Sequence, residues 1–525
     1  MRNKAYPWNE NIPWMTSFPE FLAFIEQAYA RRDAFVFERG GASVSVTYAQ
    51  FLRDVYALAA ALRAQDWAGK HYVLMGETSY EWILFFFAGI LNGAVAVALD
   101  KDLPLDEQRT RLALVDTDIL LYSADYADVA AALDAPQKLC FTQTAGLLAE
   151  GAVRTVDRRD FVPDKEAPAA IFFTSGTSGM TKGATLSAHN LIYCVCAASR
   201  NFWEEGMNLL VLPLHHCFGV VAALLSPLAG GSTSALCPSV KRVKHFLSKY
   251  PPDCIFGVPL VVESVAAEIW RGAAKQKKTA LLKAMLALSN TLQKIGIDVS
   301  KQLLGSVRRN FGGRLKSLVS GGGDLNPNLF PLFRGLGVNL LNGYGLTESA
   351  STASINRNHH WRDGSVGLPL FGTEVRIAPD GEIQLRGEHI FLGYYNNPEE
   401  TQAVFTEDGW FRSGDLGYLD DDGFLFMTGR KKNLIILSNG ENVSPEWLEA
   451  KLQVIDAAQA VLVYAEGEQI VAEFYLGEGG IAQKKTLEDA VDAVNRKLPL
   501  YAQIAQVKIR DEDFVRNTAG KIIRK

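Results

Sequence analysis

The chain has 525 residues, of which 48% are hydrophobic and 21% charged, and its formal net charge is −5. That length exceeds what one hydrophobic core normally holds, so we expect several domains. The composition is that of a globular protein, and no basic excess points to a nucleic-acid partner. The six cysteines match no metal-binding spacing and mostly stand among apolar residues, which predicts reduced, buried thiols in a cytoplasmic protein.

One uncharged stretch, residues 82–99, is 18 residues long and so reaches the lower limit for a membrane span. Asn92 and Gly93 interrupt it, and we therefore expect a buried helix, a turn and then a strand over 94–99. The N-terminus also lacks the apolar core of a signal peptide. The sequence thus predicts no transmembrane segment.

Between residue 47 and about residue 260, short β-branched runs alternate with longer amphipathic stretches. This alternation is typical of parallel sheets that carry helices on their faces. The runs are residues 72–75, 95–97, 119–122, 171–173, 209–212 and 255–258.

Residues 174–183 read TSGTSGMTKG, a loop of glycines, hydroxyls and one lysine. Such a loop suits polyphosphate binding through backbone N–H groups and a point charge. It follows the apolar run 169–173 and precedes a helix-like pattern from Asn190. The Walker A spacing is absent, because Lys182 stands three residues after Gly179. We expect a nucleotide-phosphate loop and disfavour a P-loop kinase or GTPase.

From about residue 365 to residue 428 the pattern changes to hairpins. Pro379-Asp-Gly381 joins two alternating runs, and the DDDG sequence at 420–423 marks another turn, which predicts a small antiparallel β unit. A compact α/β module is expected after the GRKK sequence at 429–432. Its elements are strands near 461–464, 470–476 and 507–509 and a helix over 486–498.

Residues 271–316 form a basic region with eleven lysines and arginines against the single acidic residue Asp298, a balance of +10. Its middle, residues 280–288, is amphipathic. We favour a solvated helix face, because no Trp or Phe anchors the apolar side of that segment. The alternatives are peripheral contact with an anionic membrane and contact with the phosphates of a carrier.

Eight motifs, in this order, resemble those of the adenylate-forming enzymes, the AMP-dependent synthetase and ligase superfamily of acyl-CoA synthetases, adenylation domains and luciferases. The motifs are TSGTSGMTKG (174–183), LPLHHCFG (212–219), SGGGD (320–324), NGYGLTES (342–349), GEIQLRG (381–387), WFRSGDLG (410–417), GRKKN (429–433) and GK (520–521). Together they span nearly the whole chain. The resemblance implies an α/β fold with a large N-terminal domain of parallel α/β sheets that includes the β unit, residues 1–428. A hinge at 429–432 and a small mobile C-terminal α+β domain, residues 433–525, would follow.

The resemblance implies that ATP activates a carboxylic acid as an acyl-adenylate with loss of pyrophosphate, and that a thiol then displaces AMP. Catalysis of this kind rests on positioning and on charge stabilisation. The β- and γ-phosphates would be bound by Thr174, Ser175, Gly176, Thr177, Ser178, Gly179 and Lys182. The adenine would be framed by Gly322, Gly323, Asp324, Asn342 and Tyr344, with Gly343 and Gly345 beside them. Asp415 would accept hydrogen bonds from the ribose hydroxyls, and Arg430 would lie near the ribose and phosphates.

The same resemblance implies the catalytic residues. Thr347 would contact the α-phosphate, and Glu348 would offer a carboxylate to Mg²⁺, which prefers oxygen ligands. Lys521 would bridge the α-phosphate and the substrate carboxylate during adenylation. For thiol transfer, the small domain would rotate about Lys432, and a loop with Gly440 would line the tunnel for the pantetheine of CoA or of a carrier protein.

Relatives that activate amino acids place an aspartate after the fourth strand pattern, but residues 210–225 contain no acid. An unpaired ammonium in an apolar pocket would be costly, so we favour an acid without an amino group. By resemblance, His216 would stand at the pocket mouth and gate the thiol, with a structural histidine as the alternative. The acyl pocket would comprise Phe218, Gly219, Gly257, Val258 and Gly321.

The basic insertion and the sequence LSNGENVSP at 437–445 are similar to bacterial fatty acyl-CoA synthetases, which predicts a medium- or long-chain fatty acid as substrate. The other enzyme that fits is a stand-alone ligase that loads an acyl or aryl group onto an acyl or peptidyl carrier protein. A degenerate acyl- or nucleotide-binding protein is disfavoured, because binding alone does not need Lys182, Glu348, Asp415, Arg430 and Lys521 together. A luciferase-type oxygenase has no discriminating residue. We expect a monomer or homodimer.

Overall fold

The computed structural model describes residues 9–154, 157–175, 181–202, 204–358, 360–437, 441–453, 455, 458–467, 469–477, 484–516 and 522–524. The strands within these ranges are β1 Asp33–Arg39, β2 Ala42–Thr47, β3 His71–Met75, β4 Val95–Leu99, β5 Ile119–Tyr122, β6 Gln137–Cys140, β7 Pro168–Ser175, β8 Thr181–Ser187, β9 Met207–Leu210, β10 Thr233–Leu236, β11 Cys254–Gly257, β12 Ser317–Ser320, β13 Asn339–Tyr344, β14 Ser354–Ile355, β15 Leu368–Pro369, β16 Glu374–Ile377, β17 Glu382–Arg386, β18 Gly393–Tyr394, β19 Phe411–Leu419, β20 Leu425–Arg430, β21 Ile435–Ile436, β22 Asn442–Val443, β23 Ala460–Glu466, β24 Gln469–Tyr475 and β25 Gln506–Arg510.

The α-helices are α1 Phe18–Tyr29, α2 Tyr48–Arg63, α3 Tyr80–Leu91, α4 Leu105–Leu114, α5 Ala127–Ala132, α6 Thr144–Ala152, α7 Ala188–Asn201, α8 Ser226–Ala229, α9 Val243–Lys249, α10 Pro259–Lys275, α11 Thr279–Gln293, α12 Ser300–Arg308, α13 Leu329–Gly335, α14 Pro398–Ala403, α15 Pro445–Leu452 and α16 Lys484–Asn495. A π-helical segment, Gly219–Leu225, precedes α8.

Two large sheets form the body of the molecule, as the alternating pattern predicts. In the described residues, a seven-stranded sheet has the order β18-β8-β7-β4-β3-β5-β6, and a nine-stranded sheet has the order β15-β14-β13-β12-β11-β9-β10-β1-β2. The strands β4, β3, β5 and β6 of the first sheet and β1, β10, β9, β11, β12 and β13 of the second run parallel. Parallel sheets are usually buried on both faces, and the inner strands β3, β4 and β5 are accordingly mostly apolar, whereas the edge strand β6 exposes Gln137 and Lys138.

The uncharged stretch at 82–99 forms a helix, a turn and a strand, as expected. Ser79 caps α3, with its Oγ accepting from the N–H of Trp82 at 3.2 Å. Gly93 turns the chain at φ +73°, and every residue of β4 is buried. None of the described helices has both the length and the apolarity needed to cross a bilayer.

The β unit and the C-terminal module also follow the predicted pattern. The strands β16-β17-β19-β20 form an antiparallel sheet, in which Gly381 turns at φ +83°. In the C-terminal module, β23-β24-β25 form a sheet, and a separate hydrophobic cluster begins at Ile435 and includes Leu448, Phe474 and Leu487.

The cysteines are free thiols and mostly buried, as predicted. Burial raises the pKa of Cys194 to about 12 and the pKa of Cys196 to about 11. Both therefore remain protonated and unreactive at neutral pH, because the thiolate is the nucleophilic form.

At the phosphate loop, the secondary structure differs from the one that the sequence predicts. The pattern predicted a strand, a loop and then a helix, whereas a second strand, β8, lies between the loop and α7. β7 and β8 pair antiparallel, with Thr174 opposite Lys182. Thr185 to Ser187 are buried and were missed, because a short mixed polar and apolar run next to a glycine-rich loop resembles a continuation of that loop.

Candidate active site

The predicted site residues converge at the carboxyl ends of parallel strands, where ligands usually bind in open α/β sheets. Gly257 ends β11, Gly321 follows β12, and Tyr344 ends β13. The neighbouring residues Gly322, Gly323, Asp324, Asn342, Gly343, Gly345 and Thr347 belong to the same edge. Gly176, Thr177, Ser178, Gly179, Gly440 and Lys521 lie outside the described residues, as does the side chain of Ser175.

Asp415 is the buried centre of the predicted ribose subsite, with an exposed fraction of 1%. Its Oδ2 accepts from the Tyr344 hydroxyl at 3.0 Å, and its Oδ1 lies 3.1 Å from Nε of Arg430. β19 and β20 place Asp415 directly opposite Arg430, so the sheet register itself builds the ion pair. Burial, and then the charge of Asp415, raises the pKa of Tyr344, while the same charge raises the pKa of Arg430. The tyrosine therefore stays a donor and the arginine stays charged.

Glu348 lies in a short turn, Thr347–Ser349, and is buried. The Tyr394 hydroxyl donates to its Oε1 at 2.8 Å. Burial raises the pKa of Glu348, because desolvation disfavours the charged form. Within the described residues no group of three acidic, histidine or cysteine side chains is arranged to hold a metal. A single carboxylate fits Mg²⁺ that takes its remaining oxygen ligands from water and phosphates.

Lys182, on β8, lies close to Tyr394, the residue that contacts Glu348. Its side chain is 6% exposed, and its Nζ lies 2.6 Å from Oε2 of Glu400. The ammonium also stands 4.8 Å from the centroid of the Tyr394 ring, a cation–π distance. Tyr394 thus contacts both Lys182 and Glu348, and it links the phosphate hairpin to the predicted Mg²⁺ ligand.

Two buried acceptors near the predicted adenine subsite lack partners in the described structure. Neither Oδ1 of Asn342 nor Oγ of Ser320 forms a hydrogen bond there. Gly322 follows at φ +80°, and the nearest atom to a Cβ built on it is Cγ1 of Val258 at 3.9 Å. An unmet buried acceptor is costly, about 1–3 kcal/mol. A ligand with an amino group, such as adenine, fits this open, acceptor-rich edge.

Two of the predicted acyl-pocket residues, Phe218 and Gly321, contact each other. A Cβ built on Gly321 would lie 2.9 Å from Cζ of Phe218, so the phenyl ring packs directly on this glycine. Gly219 begins the π-helical segment, and a Cβ there would meet the carbonyl of Pro213 at 2.2 Å. β11 pairs with β12 and sets Gly257 beside Ser320. π-Helical turns are frequent at functional sites, since they change the direction of side chains.

His216 stands beside a second histidine that contacts a buried acid. The rings of His215 and His216 are 4.3 Å apart, and Nε2 of His215 lies 3.5 Å from Oδ2 of Asp100. Burial lowers the pKa of His215, and the neighbouring His216 lowers it further. The His215 imidazole is therefore neutral at physiological pH.

The predicted hinge begins at the end of β20. Both lysines are exposed, but Nζ of Lys431 lies 2.6 Å from Oδ2 of Asp380 and 3.3 Å from Oε2 of Glu382, whereas Lys432 forms no ion pair with the described residues. Desolvation, and then the charge of Arg430, lowers the pKa of Lys432. Lys431 therefore ties this segment to the β unit, and Lys432 is the freer of the two.

Sequence reasoning missed three residues of this site: Asp100, Tyr394 and Glu400. Glu400 is 218 residues from Lys182 along the chain, and Tyr394 is 46 residues from Glu348. No local spacing signals such contacts. Two adjacent tyrosines before an asparagine pair, at 394–397, were the only composition cue.

Known proteins share this architecture. The AMP-binding enzyme family matches residues 24–395. The chain is 32% identical over 461 residues to the long-chain-fatty-acid–CoA ligase FadD15 of Mycobacterium bovis, covering 81% of this chain and 76% of that protein. It is 28% identical over 444 residues to a feruloyl-CoA synthase of Amycolatopsis sp, covering 80% of each.

Solved structures of other proteins have the same fold. The anthranilate CoA ligase AuaEII in complex with anthranoyl-AMP superposes with a TM-score of 0.79 at 20% identity, covering 98% of this chain and 96% of that one. ATP-bound MatB from Rhodopseudomonas palustris gives a TM-score of 0.76 at 23% identity, covering 96% and 97%.

The fold and the sequence relationship define an adenylate-forming enzyme. The chain belongs to the AMP-binding enzyme family, and it is an AMP-forming acid–thiol ligase. The predicted superfamily and the α/β fold class are confirmed.

Proposed function

We propose that this enzyme activates a medium- or long-chain fatty acid with ATP and Mg²⁺ and transfers the acyl group to CoA. The observation that carries the proposal is the packing of Phe218 on Gly321 beside a segment, residues 210–225, that has no acidic side chain to bind an amino group. The name of the FadD15 relative supports a fatty acid. Aryl acids are the alternative, since feruloyl-CoA synthase is also a relative.

The residues of the site divide the work of adenylation. Lys182 would neutralise the β- and γ-phosphates, Asp415 would accept from the ribose hydroxyls, and Asn342 would accept from the adenine amino group. Mg²⁺ would screen phosphate charge next to Glu348. A carboxylate oxygen of the acid attacks the α-phosphorus, the bond to the β-phosphate oxygen breaks, and pyrophosphate leaves. Stabilising the charge that develops on the phosphate oxygens is the main catalytic task.

The second half-reaction forms the thioester. The thiol of CoA loses its proton to water and its sulfur attacks the acyl carbon, the bond between that carbon and the phosphate oxygen breaks, and AMP departs with the electron pair. His216, with His215 and Asp100 behind it, would lie where the thiol enters. The small domain, from about residue 433 onward, would rotate about Lys432 between the two half-reactions.

Pyrophosphate release over a panel of octanoate, palmitate, ferulate and the common amino acids tests the substrate class. We expect the two fatty acids to give the highest kcat/KM. Release with amino acids alone, or with ferulate alone, would contradict the pocket assignment. Acyl transfer to CoA should outpace transfer to a holo-carrier protein, and the reverse order would establish the carrier-loading ligase instead.

The catalytic lysine is tested by separating the half-reactions. Lys521→Ala should abolish acyl-adenylate formation and leave thioester formation from preformed acyl-adenylate largely intact. Lys525→Ala, a change four residues away, is the matched control. Equal loss in both half-reactions would refute the bridging role of Lys521.

A further inference from the structure

The basic region at 271–316 contains two kinds of cation. Some have internal partners: Nη2 of Arg308 donates to the carbonyl of Leu315 at 2.9 Å, and Nη2 of Arg314 lies 2.7 Å from Oδ2 of Asp253. Lys316 is within 3.4 Å of the same aspartate. These side chains hold the fold together. The remaining cations concentrate around α11.

One side of α11 exposes large aliphatic side chains. Leu281 is 55% exposed and Leu288 is 50% exposed, although both lie in a regular helix. Residues seven apart fall within about 20° of each other around a helix, so these two leucines share one side. In the turn that follows, Ile295 is 70% exposed and Ile297 is 48% exposed.

The opposite side of α11 is already used for packing. Leu282 and Leu286 are buried in the same hydrophobic cluster as Leu329 and Phe333 of α13. The exposed leucines therefore take no part in the packing of α11 against α13. Exposed apolar side chains that are grouped together and rimmed by polar residues mark interaction surfaces, whereas single ones are normal on a protein surface.

The charge around these aliphatic residues has one sign. Lys277, Lys278, Lys283 and Lys294 are exposed, and no acidic residue occurs between Glu268 and Asp298. In the part of the chain that the structure describes, none of these four lysines is in an ion pair. We call Leu281, Leu288, Ile295 and Ile297 with these four lysines the α11 face.

We propose that the α11 face docks this enzyme on an anionic lipid bilayer. Aliphatic side chains that enter the interface and lysines that meet lipid phosphates are the two signals that together hold a protein at a membrane surface. No Trp or Phe lies in the middle of the basic region to anchor it in a membrane. The four exposed aliphatic residues of the α11 face would serve as the anchor instead. An acidic carrier protein would pair with the lysines and would leave that aliphatic row without a partner.

The position of the face connects it with the site. α10 begins at Pro259, directly after Val258 of the predicted acyl pocket, and its C-terminus leads into α11. A helix of 17 residues is about 25 Å long. The start of the α11 face thus lies no more than about one helix length from the pocket, which suits an apolar acid that partitions into membranes.

Vesicle sedimentation tests the proposal independently of activity. The full-length enzyme should co-sediment with vesicles of phosphatidylglycerol and phosphatidylcholine at low salt, and less with pure phosphatidylcholine or in 0.5 M NaCl. Lys277→Gln/Lys278→Gln/Lys283→Gln should weaken binding by at least about tenfold, since each lysine near an anionic surface contributes roughly fivefold. Leu281→Gln/Leu288→Gln should weaken it similarly.

Matched controls lie in the C-terminal module. Lys485→Gln/Lys497→Gln removes exposed lysines, and Leu500→Gln removes a leucine that is 88% exposed; both should bind vesicles like the wild type. Circular dichroism and pyrophosphate release verify that each variant is folded. Absence of vesicle binding at low salt, or equal binding by the α11 variants, overturns the proposal. So does binding of a holo-carrier protein, in place of vesicles, that is lost with the α11 variants.

Discussion

Nζ of Lys182 lies 2.6 Å from Oε2 of Glu400, so the cation of the phosphate hairpin already pairs with a carboxylate. The lysine side chain is 6% exposed and the glutamate side chain 38% exposed. Water can therefore reach the acid more easily than the base. A triphosphate at this lysine would compete with Glu400, and a carboxylate that stayed nearby would repel it.

Glu400→Gln should lower the KM for ATP. The amide neither competes as strongly for Lys182 nor repels phosphate, and an ion pair with one half-exposed partner is worth about 1 kcal/mol, which is roughly fivefold in affinity. The measurement is ATP–pyrophosphate exchange as a function of ATP concentration. Glu399→Gln, an exposed neighbour, should leave KM unchanged. A KM that rises in Glu400→Gln would show that Glu400 assists the nucleotide.

Asp415→Asn should reduce kcat/KM for ATP by about 100-fold. The change leaves Arg430 without its buried charge partner and removes an acceptor for ribose hydroxyls, a loss of about 2–3 kcal/mol. Tyr344→Phe removes only the 3.0 Å hydrogen bond to Asp415 and should cost about fivefold. Equal losses in the two variants would mean that the tyrosine hydroxyl, and not the carboxylate, serves the nucleotide.

Gly321→Ala should shift the enzyme towards shorter acids. The added methyl would stand 2.9 Å from Cζ of Phe218, and the ring must move. Overpacking of this kind costs about 1–3 kcal/mol, so we expect roughly a tenfold fall in the ratio of palmitate to octanoate activity. Phe218→Ala should restore long-chain activity in the Gly321→Ala background. Strictly additive losses in the double variant would place this contact outside the acyl pocket.

Stability should fall as the pH is lowered towards 4, partly through His389. This side chain is fully buried, and desolvation lowers its pKa to about 4 from 6.5. Below pH 6.5 the unfolded chain binds a proton that the folded chain does not bind until about pH 4. This residue therefore removes up to about 3 kcal/mol of stability across that window.

His389→Gln removes this titration. Urea unfolding at pH 7 and pH 4.5 should show a smaller difference in the free energy of unfolding for the variant than for the wild type. The variant should also lose some stability at both pH values, because its packing changes. An unchanged difference in His389→Gln would show that the buried ring does not set the pH response.

Features that depend on neighbouring residues could be predicted from the sequence. The turn at Gly93 and the hairpin at Gly381 follow from local backbone chemistry, and the motifs at 342–349 and 410–417 supplied Tyr344 and Asp415. What could not be predicted depends on the sheet order. The contact between Lys182 and Glu400 forms only because β18, which leads into α14, pairs with β8.

The N-terminal hairpin of β1 and β2 was also missed, although Gly40 and Gly41 form its turn at φ +57° and +83°. A glycine pair between alternating runs predicts such a hairpin. In this case the signal was present in the sequence. The middle of β1, residues 34–37, is buried throughout, so the alternation of apolar and polar residues that marks a hairpin strand is absent there.

The seven residues of β8 separate the phosphate hairpin from the first turn of α7 by about 20 Å. In a strand-to-helix phosphate loop, the helix macrodipole adds positive potential at the bound anion. Here that contribution is too distant, because a helix terminus acts only over its first turn. The affinity for pyrophosphate should consequently depend on ionic strength as expected for a few side-chain charges. Acetylation of the Lys182 amine should remove much of that affinity.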